Sequence, residues 1–234
     1  MQIIHTELVE QAFATVEAIP ALEAGEIHLW LWRLSEPVAP RLLTSLARRE
    51  LVRLLQGYAE SDRTPLFERG EHGKPFVAAA EFPHFNISHG GDCVAFAFCR
   101  DQELGVDVER ASMRRGHAAL DLATRFFAAD ETAALAQLGE VERERAFLHL
   151  WTCKEAVLKA LGHGLSFGLD RLRFSLDGNG KPESLLSIAD AAGCPAEWQI
   201  HRFAAGSKHV GSLAWRGPKK PIRSFRMDAQ ASLG

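Results

Sequence analysis

Asp107 and Glu109 stand two apart in Gly105-Val106-Asp107-Val108-Glu109, and Glu155 and Lys159 stand four apart in Trp151-Thr152-Cys153-Lys154-Glu155-Ala156-Val157-Leu158-Lys159. On a strand, residues two apart face the same side, so the first segment aims two carboxylates at one point. On a helix, residues four apart are one turn from each other, so the second adds a carboxylate and an ammonium on one stripe. Three acids beside a cation suit an octahedral, all-oxygen Mg²⁺ or Mn²⁺ site whose shell a phosphorylated substrate completes. Each piece also has a plainer explanation. A surface Asp-x-Glu is common, and Glu155…Lys159 is the ion pair that exposed helices use. Their conjunction is what points to chemistry.

Other residues join them. Glu131, which follows the aromatic pair Phe126-Phe127 with three residues between, falls in what reads as the first turn of a helix. It either complements the helix dipole or serves as a fourth acid or proton acceptor near the metal. Asn86-Ile87-Ser88-His89-Gly90-Gly91 reads as a loop whose glycines let the backbone approach a phosphate.

The elements that must position these groups follow from periodicity. Ile27 to Trp32 is aromatic and β-branched enough for a strand. Leu42, Leu43, Leu46, Leu51, Leu54 and Leu55 recur at helical spacing from Pro40 to Tyr58, with Arg41, Arg48, Arg49 and Arg53 on the other faces. A polar stretch leads to a turn at Gly73-Lys74-Pro75. Cys93 to Cys99 is a short apolar strand, and Leu104 to Val108 is expected to run back beside it as a hairpin. After a basic loop from Arg110 to His117 come helices over 118–127, 129–138 and 141–161, the last stopped by Gly162. Strands are expected over 169–176, 198–203 and 210–215, and a loosely held tail from Gly217. The fold class is α+β. Two lobes, 1–104 and 105–216, meet near the first acid pair, followed by the tail 217–234.

Composition narrows the function classes. The chain has 234 residues, 47% hydrophobic and 24% charged, with a net charge of −3, which argues against a protein held to nucleic acid by bulk positive field. No apolar run reaches the roughly 18–20 residues of a membrane span, and the start of the chain does not read as a secretory signal. Cys93, Cys99, Cys153 and Cys194 lack the spacing of a zinc site or a disulfide framework. Cys93, Cys99 and Cys153 lie in apolar segments, which predicts buried, reduced thiols and a cytoplasmic location.

Taken in order, Gly73-Lys74-Pro75, Phe85-Asn86-Ile87-Ser88-His89, Gly105-Val106-Asp107-Val108-Glu109, Arg125-Phe126-Phe127 with Glu131, and Trp151-Thr152-Cys153-Lys154-Glu155 with Lys159 resemble the Sfp-type 4′-phosphopantetheinyl transferases over about residues 73–174. The resemblance implies two similar α/β lobes related by a pseudo-twofold, with coenzyme A bound between them. It also implies transfer of the phosphopantetheine arm to a serine of an acyl or peptidyl carrier domain, with release of adenosine 3′,5′-bisphosphate. By the same resemblance Asp107, Glu109 and Glu155 would hold Mg²⁺ against the pyrophosphate. Lys74, Ser88 and His89 would bind the nucleotide and its phosphates, with Lys154 and Lys159 near the pyrophosphate.

That chemistry needs a neutralised pyrophosphate and a proton acceptor for the serine, for which Glu155 is the first candidate and Glu131 the second. Lys159 could stabilise or protonate the leaving phosphate, and Arg48 and Arg53 could read the 3′-phosphate. Departures from the family pattern lie in the first lobe. Gly90 stands where relatives often carry a hydroxyl residue, and Thr44 falls where an arginine is expected, leaving Arg41 or Arg48 to replace it. The expected partners are coenzyme A and an apo carrier domain, with no nucleic acid or membrane and a monomeric state. Fatty-acid, polyketide, peptide-synthetase and siderophore pathways all remain open. A metal-dependent nuclease would instead need a broad basic surface, and a non-catalytic carrier-binding module would show no Mg²⁺ dependence.

Overall fold

Residues 2–8, 13–111, 116–164, 167–189 and 192–227 are described by the structure, a computed structural model. Three short strands, β1 (Gln2–Ile3), β2 (His5–Leu8) and β3 (Ala14–Thr15), precede β4 (Ile27–Arg33). Alternation along β4 sends Ile27, Leu29 and Leu31 into one core and Trp30 and Trp32 into another, so the strand is covered on both faces. Helix α1 (Pro40–Ala59) follows, then the hairpin β5 (Phe67–Arg69) and β6 (Pro75–Val77), and strands β7 (His84–Gly90) and β8 (Cys93–Cys99). The remaining elements are β9 (Gly105–Arg110), α2 (Gly116–Phe126), α3 (Ala129–Ala136), α4 (Glu140–Leu161), β10 (Arg173–Leu176), β11 (Pro182–Ser187), β12 (Trp198–Ala204), β13 (His209–Arg216) and β14 (Ile222–Met227).

Five strands form one sheet in the order β3-β14-β4-β8-β7, and four form another in the order β2-β12-β13-β9. Leu29, Leu31, Ala95 and Ala97 of the first sheet meet Val106, Val108, Leu213 and Trp215 of the second in one shared core. Outside the first sheet, Leu43, Leu51, Leu54 and Leu55 of α1 pack on Trp32, Phe96 and Phe98. Outside the second, Leu150, Cys153 and Val157 of α4 pack with Ile200, Val210 and Ala214. The layers therefore run helix, sheet, sheet, helix. The order of elements also recurs. A strand, helical segment, hairpin and two strands give the antiparallel pairing β4-β8-β7 in one half and β9-β13-β12 in the other.

Several sequence expectations are corrected. β9 does not form a hairpin with β8, because β8 is already paired to β4 and β7 on its two edges; β9 pairs with β13 instead. The Asn86-to-Gly90 segment is strand β7, not a loop. Within 169–176 only Arg173–Leu176 is strand, after a 3₁₀ turn at Leu169–Arg171. The expected tail contains β14, which lies between β3 and β4 and is parallel to both. Residues 228–234 of that tail, and 112–115 of the expected basic loop, lie outside the described residues. The ends of the chain cross the expected lobe boundaries, since β1 and β2 pair with β11 and β12 while β14 joins the sheet of β4. Cys93, Cys99 and Cys153 are buried free thiols, as expected, and Cys194 is free and exposed. No described helix is long and apolar enough to cross a membrane.

Candidate active site

The edge strands β7 and β9 line one cleft together with the helices α1 and α4. On α4, Trp151, Glu155 and Lys159 recur every four residues along one partly exposed stripe, while Lys154 points about 100° away into the interior. β9 presents Gly105, Asp107 and Glu109 on its α4 side. A Cβ on Gly105 would lie 2.1 Å from the Ala156 carbonyl oxygen and 2.4 Å from the Ala160 nitrogen. Glycine is therefore what lets the helix approach closely enough for Lys159 to reach Asp107.

That contact is direct. Lys159 Nζ donates to Asp107 Oδ1 at 2.7 Å, to Ser88 Oγ at 2.9 Å and to the Val106 carbonyl at 3.2 Å. Ser88 Oγ donates to the same Asp107 oxygen at 2.8 Å. Asp107 Oδ2 and Glu155 Oε1 are buried without a hydrogen-bond partner among the described residues. Burial, reinforced by the negative charge of Asp107 and only partly offset by Lys159, pushes the Glu155 carboxyl up to about 7.

The cleft has a volume of about 490 Å³. Of the residues expected to act, Arg48, Ser88, His89, Asp107, Glu109, Glu155 and Lys159 line it, together with Thr44, Phe67, Pro75 and Trp151. Of the two candidates to replace the missing arginine, Arg48 lines the cleft and Arg41 does not; the Arg48 guanidinium lies 4.6 Å from the centre of the Phe67 ring. Trp151 was not foreseen as a site residue, although its place one turn before Glu155 on the Glu155–Lys159 stripe is legible in the spacing. Pro75 lay in the Gly73-Lys74-Pro75 motif without being named as a site residue, and Phe67 carried no signal.

Four residues are placed elsewhere. Arg53 donates to Glu50 Oε2 at 2.8 Å and lines a separate hollow with Trp30 and Gly57. Lys74 donates to the Leu104 carbonyl at 3.0 Å, pairs with Glu103, and lines a neighbouring hollow with His72 and His163. Lys154 and Glu131 form an ion pair at 2.7 Å whose side chains are both 0% exposed. Lys154 also donates to the carbonyls of Leu169 and Leu172, while Glu131 accepts from the backbone N–H groups of Ala128 and Phe174. Burial pushes the Glu131 carboxyl up and the Lys154 ammonium down, each opposed by its partner's charge. Enclosed and mutually bonded, neither reaches the cleft. The expectations that Glu131 is an acid of the site and that Lys154 meets the pyrophosphate are corrected.

Among the described residues, no group of three or more His, Cys, Asp and Glu side chains is gathered to hold a metal ion. The donors nevertheless suit a hard divalent cation: they are carboxylate oxygens, two of them buried and unpaired. Gly90 also gains an explanation. A Cβ there would lie 2.6 Å from the Val108 carbonyl oxygen, so the crossing of β7 over β9 leaves no room for a side chain.

Comparison with known proteins points the same way. Residues 103–214 match the family described as the 4′-phosphopantetheinyl transferase superfamily. The chain is 40% identical over 115 residues to 4′-phosphopantetheinyl transferase psf-1 of Bacillus pumilus, covering 48% of this chain and 47% of that protein. It is 36% identical over 115 residues to 4′-phosphopantetheinyl transferase Sfp of Bacillus subtilis (strain 168), covering 49% of each. A phosphopantetheinyl transferase of Thraustochytrium sp. is 34% identical over 165 residues, 64% of this chain and 55% of that protein. The chain thus spans about half the length of the first relatives it matches. These similarities support the resemblance to 4′-phosphopantetheinyl transferases of the Sfp type, and the family match contains Asp107, Glu109, Glu155 and Lys159.

Proposed function

We propose that the protein moves the 4′-phosphopantetheine arm of coenzyme A onto a serine of an acyl or peptidyl carrier domain and releases adenosine 3′,5′-bisphosphate. The observation that carries this reading is one cleft holding the carboxyl of Glu155, raised to about 7, the unpaired oxygen of Asp107 and the Lys159 ammonium, with Arg48 and His89 lining it as well. A carboxyl titrating near neutrality is matched to accept the serine proton. The serine oxygen then bonds to the phosphorus that carries the pantetheine arm. The bond from that phosphorus to the bridging oxygen breaks, leaving the bisphosphate. Lys159 places positive charge beside the departing oxygens, and must exchange one of its three present hydrogen bonds to touch them. Arg48 offers a guanidinium fork for a further phosphate.

Asp107, Glu109 and Glu155, which all line the cleft, would hold Mg²⁺ or Mn²⁺. Such an ion neutralises pyrophosphate charge. The recurring strand order β4-β8-β7 and β9-β13-β12 supports two lobes related by a pseudo-twofold, with the cleft between them and coenzyme A seated there. A cleft built within one chain supports action as a monomer, and the buried free thiols of Cys93, Cys99 and Cys153 support a cytoplasmic location.

The test is intact-mass analysis of an apo carrier panel incubated with the protein, coenzyme A and Mg²⁺. One carrier should gain a phosphopantetheine mass, and Asp107→Ala and Glu155→Ala should each lower kcat by about 10²–10⁴-fold while keeping the wild-type circular dichroism spectrum. No gain on any carrier, or near-normal turnover in either variant, would overturn the assignment.

A further inference from the structure

We propose that Phe67 is a positioning residue whose ring holds the Arg48 guanidinium in the cleft, so that Arg48 can discriminate coenzyme A from its analogue lacking the 3′-phosphate. Arg48 stands one turn beyond Thr44 on α1, and both line the cleft. Its neighbours on the helix are committed elsewhere. Glu50 draws Arg53 at 2.8 Å and Arg49 at 3.7 Å, whereas Arg48 lies over the Phe67 ring, 4.6 Å from its centre. Among the described residues Arg48 has no ion pair or hydrogen bond, so its five N–H donors are uncommitted.

The platform under it is fixed from two sides. Phe67 opens β5 and sits opposite Val77 in the β5-β6 hairpin. Its ring meets Phe85 edge-on, with centres 5.8 Å apart and planes at 87°, and Phe85 is buried in the core beneath α1. Arg48 is itself exposed. A long exposed side chain loses rotamer freedom when a ligand fixes it, and a cation already seated on a ring loses less. The π face attracts the positive charge, and the guanidinium fork stays available for phosphate oxygens. Arg48 belongs to α1 and Lys159 to α4, so the cleft offers cations from two different helices. With the pyrophosphate beside Lys159, the separate phosphate monoester of coenzyme A is the group left for Arg48.

The proposal rests on the coenzyme A reading of the cleft, and the experiment separates the two. Coenzyme A and 3′-dephospho-coenzyme A are each titrated with Mg²⁺ into the full-length protein in a calorimeter, and transfer kinetics are measured in parallel. Phe67→Leu should bind coenzyme A about 3–10-fold more weakly, the range that loss of a cation–π contact produces, and should raise KM with kcat nearly unchanged. Its affinity for the dephospho analogue should stay within about twofold of wild type, and in an Arg48→Gln background Phe67→Leu should add less than about twofold for either ligand. Phe67→Tyr, which keeps the ring, should retain wild-type affinity. Should Phe67→Leu fail to fold, Phe67→Met, apolar but without a ring, should show the same selective loss. Equal weakening for both ligands, or weakening that persists in the Arg48→Gln background, would mean that Phe67 touches the ligand itself or only supports the hairpin, and would overturn the proposal. Unchanged affinity in Phe67→Leu would overturn it too. Wild-type protein that binds neither ligand overturns the coenzyme A reading and this proposal together, whereas equal binding of both ligands by wild type overturns the proposal alone.

Discussion

Glu155 shows how far one residue's behaviour depends on its neighbours. By sequence it is half of an ordinary helical ion pair, but in the fold burial comes first and Asp107 second in raising its carboxyl from 4.5 to about 7. A carboxyl whose folded pKa exceeds its unfolded value favours the folded state at low pH. That contribution is fully present below 4.5 and is lost as the pH rises through about 7. The ligand-free protein should therefore lose more thermal stability between about pH 5 and about pH 8 than Glu155→Gln does, by about 2–4 °C, the shift that about 1 kcal/mol makes in a chain of this size. Parallel curves for the two proteins in differential scanning calorimetry would show that Glu155 is not the group responsible. The types and spacing of Asp107, Glu155 and Lys159 were legible beforehand. The proton affinity was not, because it comes from desolvation and from a charge more than forty residues away in the chain.

At the scale of the element, α4 does two jobs on two faces. Trp151, Glu155 and Lys159 face the cleft, and Lys154 crosses the core to Glu131 in the first turn of α3, passing 4.9 Å from the Phe127 ring centre. Both lysines stood in one motif, and the 3.6-residue repeat separates them. Removing one member of a buried pair leaves an uncompensated charge, so Lys154→Met should cost about 3–5 kcal/mol, and the double variant Lys154→Met/Glu131→Leu should cost much less. Urea unfolding measures both. Wild-type stability in Lys154→Met combined with slowed transfer would instead return Lys154 to the site. The first-turn position of Glu131 offered a helix-end role from the outset, and its acceptance of the Ala128 N–H fulfils it.

For the whole molecule, the ends of the chain matter most. β14 lies inside the five-stranded sheet, and Phe225 packs on Trp30 with ring centres 4.7 Å apart. Ending the chain at Gly217 should abolish cooperative thermal unfolding, and Phe225→Ala should cost about 3–5 kcal/mol, as for other buried aromatic truncations. A wild-type melt from the shortened protein would restore the tail reading. Pro218, Pro221 and the basic residues around β14 masked its strand character, since nothing local marks a segment whose partner β4 lies nearly two hundred residues away. The same difficulty hid β1, β2 and β3.

The sequence by itself determined the long helices α1 and α4, the apolar strands β4, β8, β12 and β13, and the residue types of the cleft. Each of these rests on periodicity or spacing within a few turns of chain. Only the tertiary structure decided that β9 leaves β8 for β13, that Lys154 and Glu131 turn away from the cleft, and that Ser88 lies against Asp107 and Lys159. These outcomes depend on which strand edges remain free and which polar groups are buried together. Both are properties of contacts between distant segments, and a local pattern of residues does not contain them.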